Sequence, residues 1–211
     1  MISFSFVDWI KLAKKLDLNF KMEKSLLTLL ILIVIGSVQS CSSDDDGGIS
    51  TALIIGDFYE GGVIFYLDAT GEHGLISALV DQSFEAEWGC QPTVVNGANS
   101  IVIGTGEQNT LDIIGACNST DIAASLCSNL VLNDYSDWFL ASKDELNELY
   151  KNRGEVNETA LVNGGDKLED TEYWSSSHDA SNTVFIQSFI AGNVFSDFEN
   201  GLYNVRAIRS F

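Results

Sequence analysis

Positive charge is scarce in this chain. Its 211 residues carry 11 Lys and Arg against 30 Asp and Glu, a net charge of −19. Nucleic acid is excluded as a partner, because a phosphate backbone is bound through Lys and Arg. Sulfated glycans are disfavoured for the same reason. Histidine is scarcer still, with only His73 and His178, far apart in the chain. No HExxH, GxSxG, phosphate loop or CxxC pair occurs. Zinc, serine-hydrolase and nucleotide chemistries therefore lack their usual residues. His73 lies among turn residues and reads as a solvated loop histidine. His178 follows Ser175-Ser176-Ser177, but a serine beside a histidine in sequence is not a catalytic pair. No metal and no cofactor are expected. No internal repeat is visible.

Long apolar runs are also missing, with one exception. Ser25 to Val38 (SLLTLLILIVIGSV) is an apolar run of fourteen, short of the roughly 20 residues that span a bilayer. Lys21 and Lys24 precede it, and small or polar residues lead to Cys41. This is the order of a secretory signal peptide. Val38-Gln39-Ser40-Cys41 resembles a bacterial lipobox, with Gln39 departing from the usual small residue. The resemblance implies cleavage before Cys41 and a lipid on that cysteine, which would tie the chain to a membrane. Residues 1–21 do not fit the signal, so Met22 is a plausible start. Residues 1–40 are read as leader and 41–57 as an acidic flexible tether, rich in Ser, Asp and Gly. Residues 58–211 are read as the folded domain. The leader holds five basic and three acidic residues, so its removal takes the net charge from −19 to −21. Acidic residues just after the cysteine resemble the surface-export signal of Bacteroidetes lipoproteins. The expected address is the outer membrane, facing outward, with its periplasmic face as the alternative.

The domain reads as α+β. Gly61 to Leu79 predicts a hairpin, its strands the apolar runs Val63–Leu67 and Leu75–Val80, its turn Asp68–Gly74. A helix is expected near 107–116. Ile103-Gly104-Thr105-Gly106 before it contains a GxG, but lacks the strand and lysine of a phosphate loop. A second helix is expected over 120–131, capped by Ser119 or Thr120, with Ile122, Ala123, Leu126, Cys127 and Leu130 as its apolar stripe. Trp138-Phe139-Leu140 predicts a short strand running into a helix over 142–151. Ser142 and Glu145 stand at capping-box spacing there, and Trp138 and Leu140 should be buried. The polar, glycine-bearing stretch Asn152–Asp170 reads as loop. Strands are expected at 173–177, 183–190, 194–198 and 203–211.

Export permits disulfides. With Cys41 assigned to lipid, three cysteines remain, enough for one bridge and one free thiol. Cys127 sits on its helix's apolar stripe. Cys90 and Cys117 lie at element ends in loops, so Cys90–Cys117 is the first choice and Cys117–Cys127 the next.

Tyr135-Ser136-Asp137-Trp138-Phe139-Leu140-Ala141-Ser142-Lys143-Asp144-Glu145-Leu146 resembles the YSDWFLPSKDEL signature of the Fibrobacter succinogenes major paralogous domain family. That family is similar to the C-terminal domain of the Legionella collagen-like adhesin. Gly61–Leu67, Trp88-Gly89-Cys90, Ile103–Gly106, Tyr173–Ser177 and Val205-Arg206-Ala207-Ile208-Arg209 match in order. The resemblance thus spans almost all of 58–211. Ala141 stands where the family has proline. The resemblance implies a C-type-lectin-like fold variant, shared with formylglycine-generating enzymes. Two or three helices would pack on twisted antiparallel sheets with long irregular loops. The enzymes' late cysteine pair has no match, because no cysteine follows Cys127. The lectins' calcium motifs are missing too, the sole proline, Pro92, following Gln91.

These features favour a lipid-anchored envelope binding or adhesion module whose ligand is a neutral glycan or a protein. Its candidate binding loops are taken as exposed and carry Asp179, Asn182, Asp197, Glu199 and Asn200. A structural envelope lipoprotein without a soluble ligand is the alternative, and a hydrolase-like enzyme the weaker second one. Oligomeric state is not legible in the sequence.

Overall fold

The apolar run that opens the hairpin is continuous because both of its faces are covered. A computed structural model describes residues 52–90, 95–180 and 182–211. The lipobox cysteine Cys41, the leader and the tether up to residue 51 lie outside the described residues. Strand β1 (Phe58–Tyr59) pairs with β2 (Gly62–Leu67), which pairs with β3 (Gly74–Ser77) across the predicted turn. The first sheet is completed by β10 (Ala207–Ser210) and β5 (Phe139–Leu140), in the order β1-β2-β3-β10-β5. Successive residues of these strands point to opposite faces. Ile64, Ile76, Leu140 and Ala207 enter one buried cluster, and Val63, Phe65, Leu75, Phe139 and Ile208 enter another. A sheet buried on both faces reads as unbroken hydrophobicity, not alternation.

The second sheet has the order β4-β9-β6-β7-β8. Its strands are β4 (Ser83–Ala86), β6 (Glu172–Ala180), β7 (Thr183–Ser188), β8 (Val194–Phe198) and β9 (Tyr203–Val205). All its pairings are antiparallel except β6 with β9, which run parallel at Tyr173 and Asn204. The expected strand 203–211 is therefore two strands in two sheets, broken at Arg206. Arg206 is buried, donates to the Asp81 carboxylate, and gives Nη1–H to the Ala78 carbonyl at 2.8 Å. Asp81 lies on the link from β3 to β4, another of the chain's crossings between the sheets. The two crossings run side by side, with Ala78 N–H donating to Ala207 O and Gln82 N–H to Val205 O.

Among the described residues, four helices cover this framework: α1 (Gly106–Ala116), α2 (Ala123–Ser128), α3 (Lys143–Lys151) and α4 (Arg153–Val162). The α+β class is thus observed. Two helical expectations need correction. The 120–131 helix is the short α2, with Ile122 at its N-cap and no side-chain cap. Ser119 and Thr120 shape the turn before it instead, and the Glu87 carbonyl takes the Ala123 amide. The stretch 152–170 is not all loop. Helix α4 occupies its first half, anchored by Val156 and Ala160, one turn apart and fully buried.

The capping box at α3 forms as expected. The Ser142 hydroxyl accepts from Glu145 N–H, and the Glu145 carboxylate accepts from Ser142 N–H at 2.7 Å. That carboxylate also takes the amides of Gly104 and Gly106. The GxG holds an anion after all, but the anion is the protein's own. A β-carbon at Gly106 would come within 2.2 Å of the Glu145 carboxylate. Burial raises the Glu145 pKa, against the pull of these three amides. Trp138 and Leu140 are buried, Cys90 and Cys117 are bridged, and Cys127 is a buried free thiol whose pKa burial pushes far up.

Candidate binding cleft

The end of β6 carries the chemistry. Its serines serve the backbone. Ser175 Oγ donates to Phe185 O at 2.7 Å, and Ser177 Oγ donates to Ser100 O at 2.7 Å while accepting the Lys143 amide. Neither hydroxyl proton is directed at the histidine that follows. His178 is instead fixed on three sides. Its amide donates to Ala98 O, its Nε2 meets Glu199 Oε1 at 2.8 Å, and its ring stacks on Trp88 with centroids 4.5 Å apart. Trp88 is itself pinned, giving its backbone N–H to Glu199 O and its indole N–H to Ser175 O. An ionised carboxylate only accepts, so the arrangement sets the Nε2–H tautomer of a neutral His178.

Beside this imidazole opens a cleft of about 260 Å³, between the 95–99 loop and the end of β6. Asn96, Gly97, Asn99, His178 and Asp179 line it, with Val95 and Ala180. Gly97 has φ +107°, and a β-carbon there would meet the Asp112 carboxylate at 2.3 Å, so the loop's turn requires glycine. The exposed Asn96 and Asn99 amides can both donate and accept. The exposed Asp179 accepts from the Ser196 hydroxyl at 2.7 Å and keeps further acceptor capacity. Among the described residues, no group of three or more His, Cys, Asp and Glu is placed to hold a metal ion. A second depression, of about 340 Å³, borders Asp81 and the end of α2. Its carboxylate is already occupied by Arg206, Tyr173 and Asn204.

The five loop residues named from sequence separate here. Asp179 lines the cleft. Asn182 and Asn200 are exposed at turns and do not line it. Asp197 accepts the Tyr203 hydroxyl, and that phenol's pKa is pushed up to about 12 by burial and then by Asp197. Glu199 was expected in an exposed loop and is only 2% exposed. The correction has a physical cause: a carboxylate can be buried when a partner holds it, and His178 does so. The Asn96–Asn99 loop was missed, since an Asn-Gly pair signals only a turn. The Trp88–His178–Glu199 contact joins three distant segments and leaves no local trace.

No family model matches the chain, and no curated protein matches it in sequence. Among solved structures it is similar to a fimbrial protein from Bacteroides ovatus, with a TM-score of 0.54 at 12% identity. The likeness covers 74% of this chain and 48% of that protein, so the chain spans about half of its length. At that identity, what is shared is the fold. Among the described residues, no helix is long and apolar enough to cross a membrane.

Proposed function

We propose that this chain is a lipid-anchored binding module of a bacterial cell envelope, a variant of the C-type-lectin-like fold. Its cleft would take a neutral polar group, a single sugar ring of a glycan first of all. The observation that carries this reading is the cleft's lining. Two amides and a carboxylate converge around an imidazole whose orientation is locked from behind by Glu199 and Trp88. Hydroxyl groups, each donor and acceptor, fit such a set. The volume suits one ring and not a drug-sized ligand. The lipobox-like Val38–Cys41 supports the anchor. The likeness to a fimbrial protein supports the envelope address.

The test is a glycan array with the purified full chain, followed by titration of the best ligand. Asn99→Ala, which alters an exposed side chain, is expected to weaken binding about tenfold through lost hydrogen bonds. An array with no ligand, or affinity unchanged in Asn99→Ala, would overturn the reading.

A further inference from the structure

Sheet edges present unpaired backbone groups, and proteins normally defend them with brevity, bulges, prolines or lysines. Among the described residues, three of the four edges are defended. Strands β1 and β5 have two residues each, and β4 is interrupted by a register shift. Strand β8 is different. Its five residues, Val194-Phe195-Ser196-Asp197-Phe198, pair with β7 in unbroken register and include no lysine, arginine or proline. Val194, Phe195 and Phe198 are 37%, 39% and 58% exposed.

The hydrogen-bond phase of this edge follows from its turn. Ser188 N–H donates to Asn193 O, so the bonded pairs of the β7–β8 ladder recur at Ile186–Phe195 and Val184–Asp197. The N–H and C=O of Val194 and Ser196 therefore point away from the sheet. At Phe198 the free edge ends, because its N–H goes to the Asp197 carboxylate and its C=O accepts from Gly201. The available template is two donors and two acceptors, spaced as a β-strand partner requires.

We propose that β8 accepts an extended segment of another protein as a sixth, antiparallel strand of the second sheet. The segment's chemistry is set by what flanks the template. Val194 and Phe198 call for apolar side chains on one face. Phe195 and Asp197 call for an apolar and a basic residue on the other. Charge decides against a second copy of this chain as the occupant. Each copy carries −19, with Asp179 and Asp197 beside the edge, and nearby Lys143 is already paired with Asp144. A strand bearing lysine or arginine between apolar residues is attracted where a second copy is repelled.

The probe is a synthetic seven-residue peptide of alternating lysine and valine, titrated against the full chain in detergent at low salt. Saturable binding is expected, with amide exchange at Val194 and Ser196 slowed about tenfold when the peptide is bound. The same peptide N-methylated at alternate residues should not bind. On the protein side, Ser196→Pro removes an outward-pointing N–H together with the hydroxyl bond to Asp179, which a Ser196→Ala control removes alone, and Val194→Lys places a charge on the edge. Ser196→Pro and Val194→Lys should each weaken binding at least about tenfold while leaving the melting temperature within a few degrees. The proposal is overturned by any one of four results: no binding, equal binding of the methylated peptide, slow exchange at Val194 and Ser196 without peptide, or self-association that Ser196→Pro abolishes. The last would assign the edge to a second copy.

Discussion

Two arginines show how much this fold places on single side chains. Arg209 binds Asp137 with two hydrogen bonds, at 2.8 and 2.9 Å, reaches Glu60, and lies 4.0 Å from the ring centre of Tyr135. It thereby joins the last strand to the Tyr135–Leu140 stretch. Lysine is a point charge and cannot reproduce the fork. Arg209→Lys is expected to cost about 1–2 kcal/mol by urea unfolding. Arg206 is more demanding, because its removal strands the Asp81 carboxylate in the interior. Arg206→Leu should cost about 3–5 kcal/mol in the same assay. Glu145 makes a prediction with a pH sign. Its folded pKa is raised, so its contribution to stability is full below the ordinary carboxylate pKa and is lost as pH rises through the folded value. The stability gap between wild type and Glu145→Gln should therefore narrow from pH 4 to pH 7. A gap that widens would reverse the assigned direction. At this scale the sequence was legible where partners are close, as with Ser142 and Glu145. It was illegible for Glu199, whose burial depends on His178 and Trp88.

At the scale of elements, legibility followed the strength of the apolar pattern. The strands at 62–67 and 183–188 carry dense β-branched and aromatic runs, that at 74–77 carries the apolar pair Leu75-Ile76, and each was placed within a few residues. Helix α3 declared itself by its cap. Helix α4 did not, since its buried side is only Val156 and Ala160 among Glu, Asn and Thr. Position 206 reads as one residue in a strand, yet it is where the chain changes sheets. The alternation at 203–211 holds on both sides of the break, so periodicity alone does not show it. Ser142→Ala removes the α3 cap and should cost about 1 kcal/mol. The Cys90–Cys117 bridge closes a loop with a sequence separation of 27, tying the end of α1 to the segment after Trp88. Reduction should cost roughly 3 kcal/mol by loop entropy. Cys127 should stay unalkylated in the native state, which mass mapping checks directly.

For the whole molecule, the composition limited the partners more than it named one. A net charge of −19 sets aside polyanions. Under the proposed reading, the cleft would narrow the remainder to neutral, hydroxyl-rich groups. Replacing Cys41 by serine is expected to shift the chain from the membrane fraction to the soluble fraction, read by fractionation and by the loss of lipid mass from the N-terminal peptide. The paired crossings at Asp81 and Arg206 bear on a further property, resistance to force. The described residues lead into β1, on the first sheet, while the cleft opens at the end of β6, on the second. With the proposed anchor before β1 and the proposed ligand in the cleft, tension between them would pass from one sheet to the other. The Asp81–Arg206 clasp and the backbone bonds on either side are one of the links that would carry it. Under such a load the clasp would contribute to how hard the module can be pulled before its grip opens. In a single-molecule pulling experiment, Arg206→Leu should fail at lower load than Arg209→Lys.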